Sequence, residues 1–286
     1  MMSPIDVTPV DELIRKLQAV VDQAKNEGSR VGYFASLYTR ITIAVRRAIA
    51  AGTFDDGAAV VQLDLAFARR YLTALDCYQR GDAAISPPWA VALGATDRRD
   101  LSIVQQMALA MNAHINFDLG MAAFEALGAQ DLWDAHGDFE RVNRVLEAVV
   151  AEVEKEIAQV SPILRVVGGV SPALATWFID FGLVEARALA WQFAGTLAGA
   201  RSDAARAVLV ERRAHEVASL CSAIKQDRLR NVSFRLIAAV EEKDVRRVIR
   251  TFDRGLPPEI AAGSGGIDGT GGPGHRAPGS AGSAAQ

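Results

Sequence analysis

Polar and apolar positions follow a helical period along almost the whole chain. Asp11 to Asn26 carries Leu13, Leu17, Val20, Val21 and Ala24 at helical spacing. Tyr33 to Ala51 continues the pattern up to Gly52. A third run, from near Phe54 to Tyr78, stops before Gly81, with Asp55 or Asp56 placed to cap its start. Pro87-Pro88-Trp89 opens a short helix to Gly94, and Thr96 to Arg99 reads as a polar turn. Asp100 is placed to cap the next run, Leu101 to Leu127. Asp138 to Val160 follows. Ser171 then stands as an N-cap with Pro172 at the first helical position. Runs from Ala173 to Leu197, Ser202 to Leu229 and Val232 to Phe252 complete the body. No alternating strand pattern flanked by turns appears. The reading is therefore all-α: a single helical-bundle-like domain, residues 9–255, around a buried central helix.

Beyond that body the pattern dissolves. Residues 256–286 are rich in Gly, Ala, Ser and Pro. Such a segment buries too little apolar surface to offset its ordering entropy, which predicts a disordered tail.

Composition narrows the partners. The 31 Lys and Arg against 34 Asp and Glu give a formal net charge of -3, and the basic residues are dispersed, which argues against nucleic acid. Cys77 and Cys221 sit within helical patterns without metal-knuckle spacing and read as buried reduced thiols. No apolar stretch is long enough to span a membrane and no signal-type run opens the chain, so the expectation is a cytoplasmic protein.

The densest chemistry lies in Met111-Asn112-Ala113-His114-Ile115-Asn116-Phe117-Asp118-Leu119-Gly120. Four hydrogen-bonding side chains stand in an apolar helical stretch, and burying them costs free energy unless each is paired. At about 100° per residue, His114 and Asp118 share one face, which Glu125 extends, whereas Gln105, Asn112 and Asn116 fall on another. His-x-x-x-Asp on one face can bind a divalent metal or orient the imidazole as a general base. The alternative is that the two satisfy each other inside a packed core.

His136 is the candidate third member, catalytic or metal-ligating. Asn143 interrupts the apolar stripe of Phe139, Val142, Leu146, Val149 and Val153 and needs a partner. Asp138 reads as the N-cap of that helix. Arg69 lies on the line of Val61, Leu65 and Leu72, and Arg187 is one turn from Leu183 and Trp191. A buried Arg needs an acidic partner or an anionic ligand. His215, among charges, reads as solvated. Walker-type, nucleophile-elbow, zincin and paired Glu-x-x-His di-iron motifs are all missing.

A resemblance follows from several strings in order. They are Tyr33-Phe34-Ala35-x-Leu37-Tyr38, Leu63-Asp64-x-x-Phe67-Ala68-Arg69-Arg70-Tyr71, Pro88-Trp89, the Asn112 to Leu119 string, Asp138-Phe139-x-x-Val142-Asn143 and Ala186-Arg187-x-x-Ala190-Trp191. Together, over about Tyr33 to Leu197, the chain resembles a bacterial, mainly actinobacterial, family catalogued only as a domain of unknown function. That resemblance implies no activity. A fainter likeness to the all-α zinc-dependent phospholipase C and nuclease group rests on His-x-x-x-Asp. With only His114, His136 and His215 in the body, the chain is poorly supplied for a three-zinc site.

The resulting expectation is an enzyme of hydrolytic or other polar chemistry on a small, partly apolar, anionic substrate. His114, Asp118 and His136 are its catalytic candidates. Arg69, Asn116, Asn143, Arg187 and Trp191 are the substrate-binding ones, and a divalent metal is the candidate cofactor. The rival is a non-catalytic helical module that binds a ligand or partner and uses the same residues as a structural network.

Overall fold

Helix ends are set by local chemistry in the computed structural model, which describes residues 6–161, 183–226 and 237–261. Helix α1, Thr8–Glu27, has Pro9 in its first turn and ends at Gly28, whose φ of 70° is a left-handed value that a side chain would disfavour. Helix α2 spans Val31–Ala50. Helix α3, Gly57–Arg80, is capped by Asp56, which accepts the Ala59 N–H at 2.9 Å. Helix α4, Pro87–Gly94, runs into a single 3-10 turn, Ala95–Asp97.

The central helix departs from the expected uniform rod. Helix α5, Ile103–Asn112, starts at Ser102 rather than Asp100. Ser102 and Gln105 form a reciprocal capping box, while Asp100 pairs with Arg98. Ala113–Leu119 then winds as a π-helix, and α6, Gly120–Asp131, continues it with a break at Gly128. Every residue from Leu101 to Ala123 is buried. The π-helical segment is surrounded by α3, α4, α8 (Leu183–Ala198) and α9 (Asp203–Gln226), besides α5 and α6. Gly120 is what admits α8 so closely: a Cβ there would stand 2.5 Å from the Ala190 carbonyl oxygen.

Helix α7, His136–Val160, starts two residues earlier than its sequence suggests. Asp138 therefore lies inside its first turn and does not cap it. It caps α3 from outside instead, accepting the N–H groups of Asp55 at 2.9 Å and Asp56 at 2.7 Å. Burial alone would raise the Asp138 pKa. The two N–H donors and Arg141 outweigh that and hold it below the usual carboxylate range.

The apolar stripe of α7, with Phe139, Val149, Val153 and Ile157, packs into the main core beside Tyr33, Leu37 and Tyr38 of α2 and Leu17 of α1. Across the α2–α7 contact, buried Arg40 pairs with Glu156 and also with Glu152 at 2.8 Å, and Arg254 reaches the other oxygen of Glu156. The expected last helix is interrupted. Residues 237–240 are helical, and Asp244 then caps α10, Val245–Phe252.

By internal contacts the chain divides into residues 1–256 and 257–286. The described part of the second unit contains a four-residue helix, α11, Pro258–Ala261, where a structureless tail was expected. The expected tail beyond residue 261, the Ser171-Pro172 cap and residues 173–182 and 227–236 lie outside the described residues. Among the described residues there is no strand, and no helix is long and apolar enough to cross a membrane. Cys77 and Cys221 are buried and unpaired.

Candidate functional site

The two polar faces of the decapeptide meet different neighbours. Asn116 donates to Asn112 Oδ1 at 2.8 Å, and Asn112 Nδ2 reaches the Val217 carbonyl at 3.3 Å and Cys221 Sγ at 3.0 Å. The Asn116 carbonyl accepts from Arg213 Nε at 2.8 Å. The bonds of Asn112 and of the Asn116 carbonyl tie the end of α5 and the π-helical segment to α9. Asn116, a candidate for binding substrate, is consumed by protein.

The His114 face differs. Its Nδ1 lies 3.1 Å from Asp118 Oδ2, and Trp89 Nε1 donates to the same oxygen at 2.8 Å. A carboxylate only accepts, so in the neutral ring the proton sits on Nδ1 and Nε2 presents a lone pair. That Nε2 is buried and has no partner among the described residues. Aromatic rings surround the imidazole. Phe67 stacks on it at 3.6 Å and 3°, Tyr38 meets it edge-on at 4.6 Å and Phe34 at 5.7 Å, with Tyr71 and Trp89 tilted beyond. Burial in this cage lowers the His114 pKa despite the opposing pull of Asp118, which keeps the ring neutral.

A cavity of about 80 Å³ adjoins His114. Its walls come from α2, α3, the end of α5, the π-helical segment, α7 and the start of α8, and they are almost wholly apolar. Its polar lining is His114, Tyr38, Asp64, Glu154 and Arg187. Among the described residues, Tyr38 Oη, Asp64 Oδ2 and Glu154 Oε1 are buried without partners, as His114 Nε2 is. Desolvation pushes the Asp64 carboxyl up to about 7 and raises Tyr38 well above the usual phenol range. Four unpaired buried polar atoms in residues on one apolar cavity are the arrangement that a ligand's polar group would satisfy.

The remaining candidates fall in several places. Arg187 is on the cavity wall and is held by Asn143 Oδ1, so these two join the site from α8 and α7. Trp191 packs on Phe139 at 4.4 Å and on His136 at 5.4 Å, away from the cavity lining. The His136 side chain is 51% exposed at the start of α7, 3.7 Å from Glu140, and is not brought to His114 and Asp118. The proposed metal trio therefore does not assemble, and among the described residues no group of three or more His, Cys, Asp or Glu side chains could hold an ion. The Arg69 side chain, 66% exposed, pairs with Glu125 at 2.8 Å together with Arg70, so it lies outside the site. His215 is exposed, as its charged neighbours suggest.

Tyr38, Asp64, Phe67 and Trp89 belong to the site without having been singled out as site residues. A signal existed: Phe34 with Tyr38, and Asp64 with Phe67 and Tyr71, each share a helix face by spacing.

Fold and site thus define an all-α protein with a caged His–Asp pair beside an apolar cavity. The chain belongs to DUF5995, a family of unknown function, whose model matches residues 10–227. No curated protein and no solved structure matches it.

Proposed function

We propose that this protein is an enzyme that binds a small, mostly apolar molecule in the cavity and carries out proton-transfer chemistry on it, with His114 Nε2 as general base. The observation that carries this reading is the asymmetry of the imidazole. Nδ1 is fixed by Asp118, which Trp89 holds in turn, while Nε2 is left without a partner beside an apolar cavity. Asp118 then sets the tautomer and steadies the ring as it takes up the proton. Tyr38 is the donor available to a carbonyl or alkoxide oxygen on the substrate.

The test is a panel of small carbonyl compounds and esters incubated with the protein in D2O. NMR reads deuterium uptake next to the carbonyl, or hydrolysis. His114→Gln should cut the rate on any accepted substrate by about 10²–10⁴-fold, the usual span for a general base. Retention of the rate in that variant would overturn the assignment.

A second reading keeps the cavity and drops the chemistry: a binding module in which His114 is only a polar anchor. The flat stack of Phe67 on the imidazole favours it, because that face is closed to a substrate. Saturable binding with no turnover across the panel would decide for it.

A further inference from the structure

Arg187 is the one cation among the described residues that lines the cavity, and its partners there are all neutral. It is 5% exposed. Its Nε donates to Asn143 Oδ1, its Nη2 donates to the Phe139 carbonyl at 3.3 Å, and its guanidinium carbon lies 4.4 Å from the centre of the Phe139 ring. Among the described residues no hydrogen bond is seen from Nη1, and no carboxylate forms an ion pair with Arg187. Glu140, the nearest acidic influence, is itself engaged by Asn143 and His136. A buried guanidinium held by neutral groups has lost hydration without gaining a counter-charge. Its planar fork still has N–H groups to offer.

We propose that the molecule bound in the cavity is an apolar monocarboxylate, its carboxylate held by Arg187 and its hydrocarbon part lying among the apolar walls. This rests on the reading of the cavity as a binding site. Carboxylate fits better than phosphate for two reasons. The planar fork matches a carboxylate edge, and Asp64 and Glu154, which also line the cavity, would repel a second negative charge. Size agrees as well: since one water needs ~10–15 Å³ on this measure, the cavity takes roughly five to eight water-sized groups, the scale of a short-chain or single-ring acid.

Calorimetric titration of the full-length protein with hexanoate, 1-hexanol, hexylamine and hexyl phosphate tests the assignment. Hexanoate should bind at least tenfold more tightly than hexanol, with hexyl phosphate and hexylamine weaker than hexanoate. Arg187→Met should abolish the preference for hexanoate and leave hexanol affinity unchanged. Equal affinity for hexanoate and hexanol in the unaltered protein, or a preference that survives Arg187→Met, overturns the carboxylate anchor but leaves the cavity reading standing. Tightest binding by hexyl phosphate or by hexylamine also overturns the anchor. No binding by any probe overturns both. If Arg187→Met fails to fold, the order of head groups in the unaltered protein and the NMR shift of the Arg187 Nε–H resonance on adding hexanoate decide the matter.

Discussion

Two donors, the His114 imidazole and the Trp89 indole, converge on a single oxygen of Asp118. Replacing that residue by Leu strands both donors in the core, at about 1–3 kcal/mol for each unsatisfied group. Asp118→Asn keeps an oxygen in place and should lose clearly less in urea unfolding. Two buried titrations nearby act in opposite directions. The His114 pKa is depressed on folding, so below pH 6.5 the unfolded chain takes up the proton first and stability falls with acid. The Asp64 pKa is raised from 3.8 to about 7, so its contribution is intact below 3.8 and is lost as pH rises through 7. Asp64→Asn should therefore stabilise the protein at pH 8, by up to about 4 kcal/mol, and change little near pH 4. Urea midpoints at the two pH values check the sign, and a variant no more stable at pH 8 than at pH 4, relative to the unaltered protein, would refute it.

Between elements, glycine shows where the backbone is crowded. Gly120→Ala gains about 1 kcal/mol of helix propensity. It drives a methyl to 2.5 Å from the Ala190 carbonyl, so a net loss of about 1–3 kcal/mol is expected. Gly137→Ala meets only the end of the Arg141 side chain at 3.8 Å and should be neutral or mildly stabilising. Thermal melts of the two variants side by side distinguish crowding from propensity. The central helix also shows how far the sequence could be read. Its burial and the division of His114 with Asp118 from Asn112 with Asn116 follow from the polar pattern, because an i,i+4 pair stays adjacent even when the turn widens. Glu125 was placed on the His114 stripe and lies instead on the surface with Arg69 and Arg70. A π-helical turn advances fewer degrees per residue than an α turn, so a register counted at α pitch drifts across Ala113–Leu119. The same period placed Arg69 on a buried line, but a wheel cannot tell which edge of a stripe is covered. The exposure of His136 was equally illegible, because it depends on where α7 begins.

Across the molecule, Arg40, Glu156 and Arg254 join α2, α7 and the segment after α10 through one buried carboxylate. Glu156→Gln leaves Arg40 in the core with only the exposed Glu152 opposite and should cost about 3 kcal/mol, the lower end for a broken buried pair. Chemical denaturation measures this, and a loss below 1 kcal/mol would mean that Glu152 and solvent suffice. Sequence could not foresee this network, since its members are more than 90 positions apart and nothing in a local pattern links them. The cavity was beyond its reach for the same reason. Its lining is spread over α2, α3, α5, the π-helical segment, α7 and α8, and its apolar residues each read locally as ordinary core. That void has a mechanical consequence. Unfilled volume disappears when a protein unfolds, so hydrostatic pressure favours the unfolded state in proportion to it. Compression should therefore open this fold more readily than its number of buried side chains suggests. Leu146→Phe, which builds into the cavity, should shrink the volume change of unfolding and make the protein harder to crush.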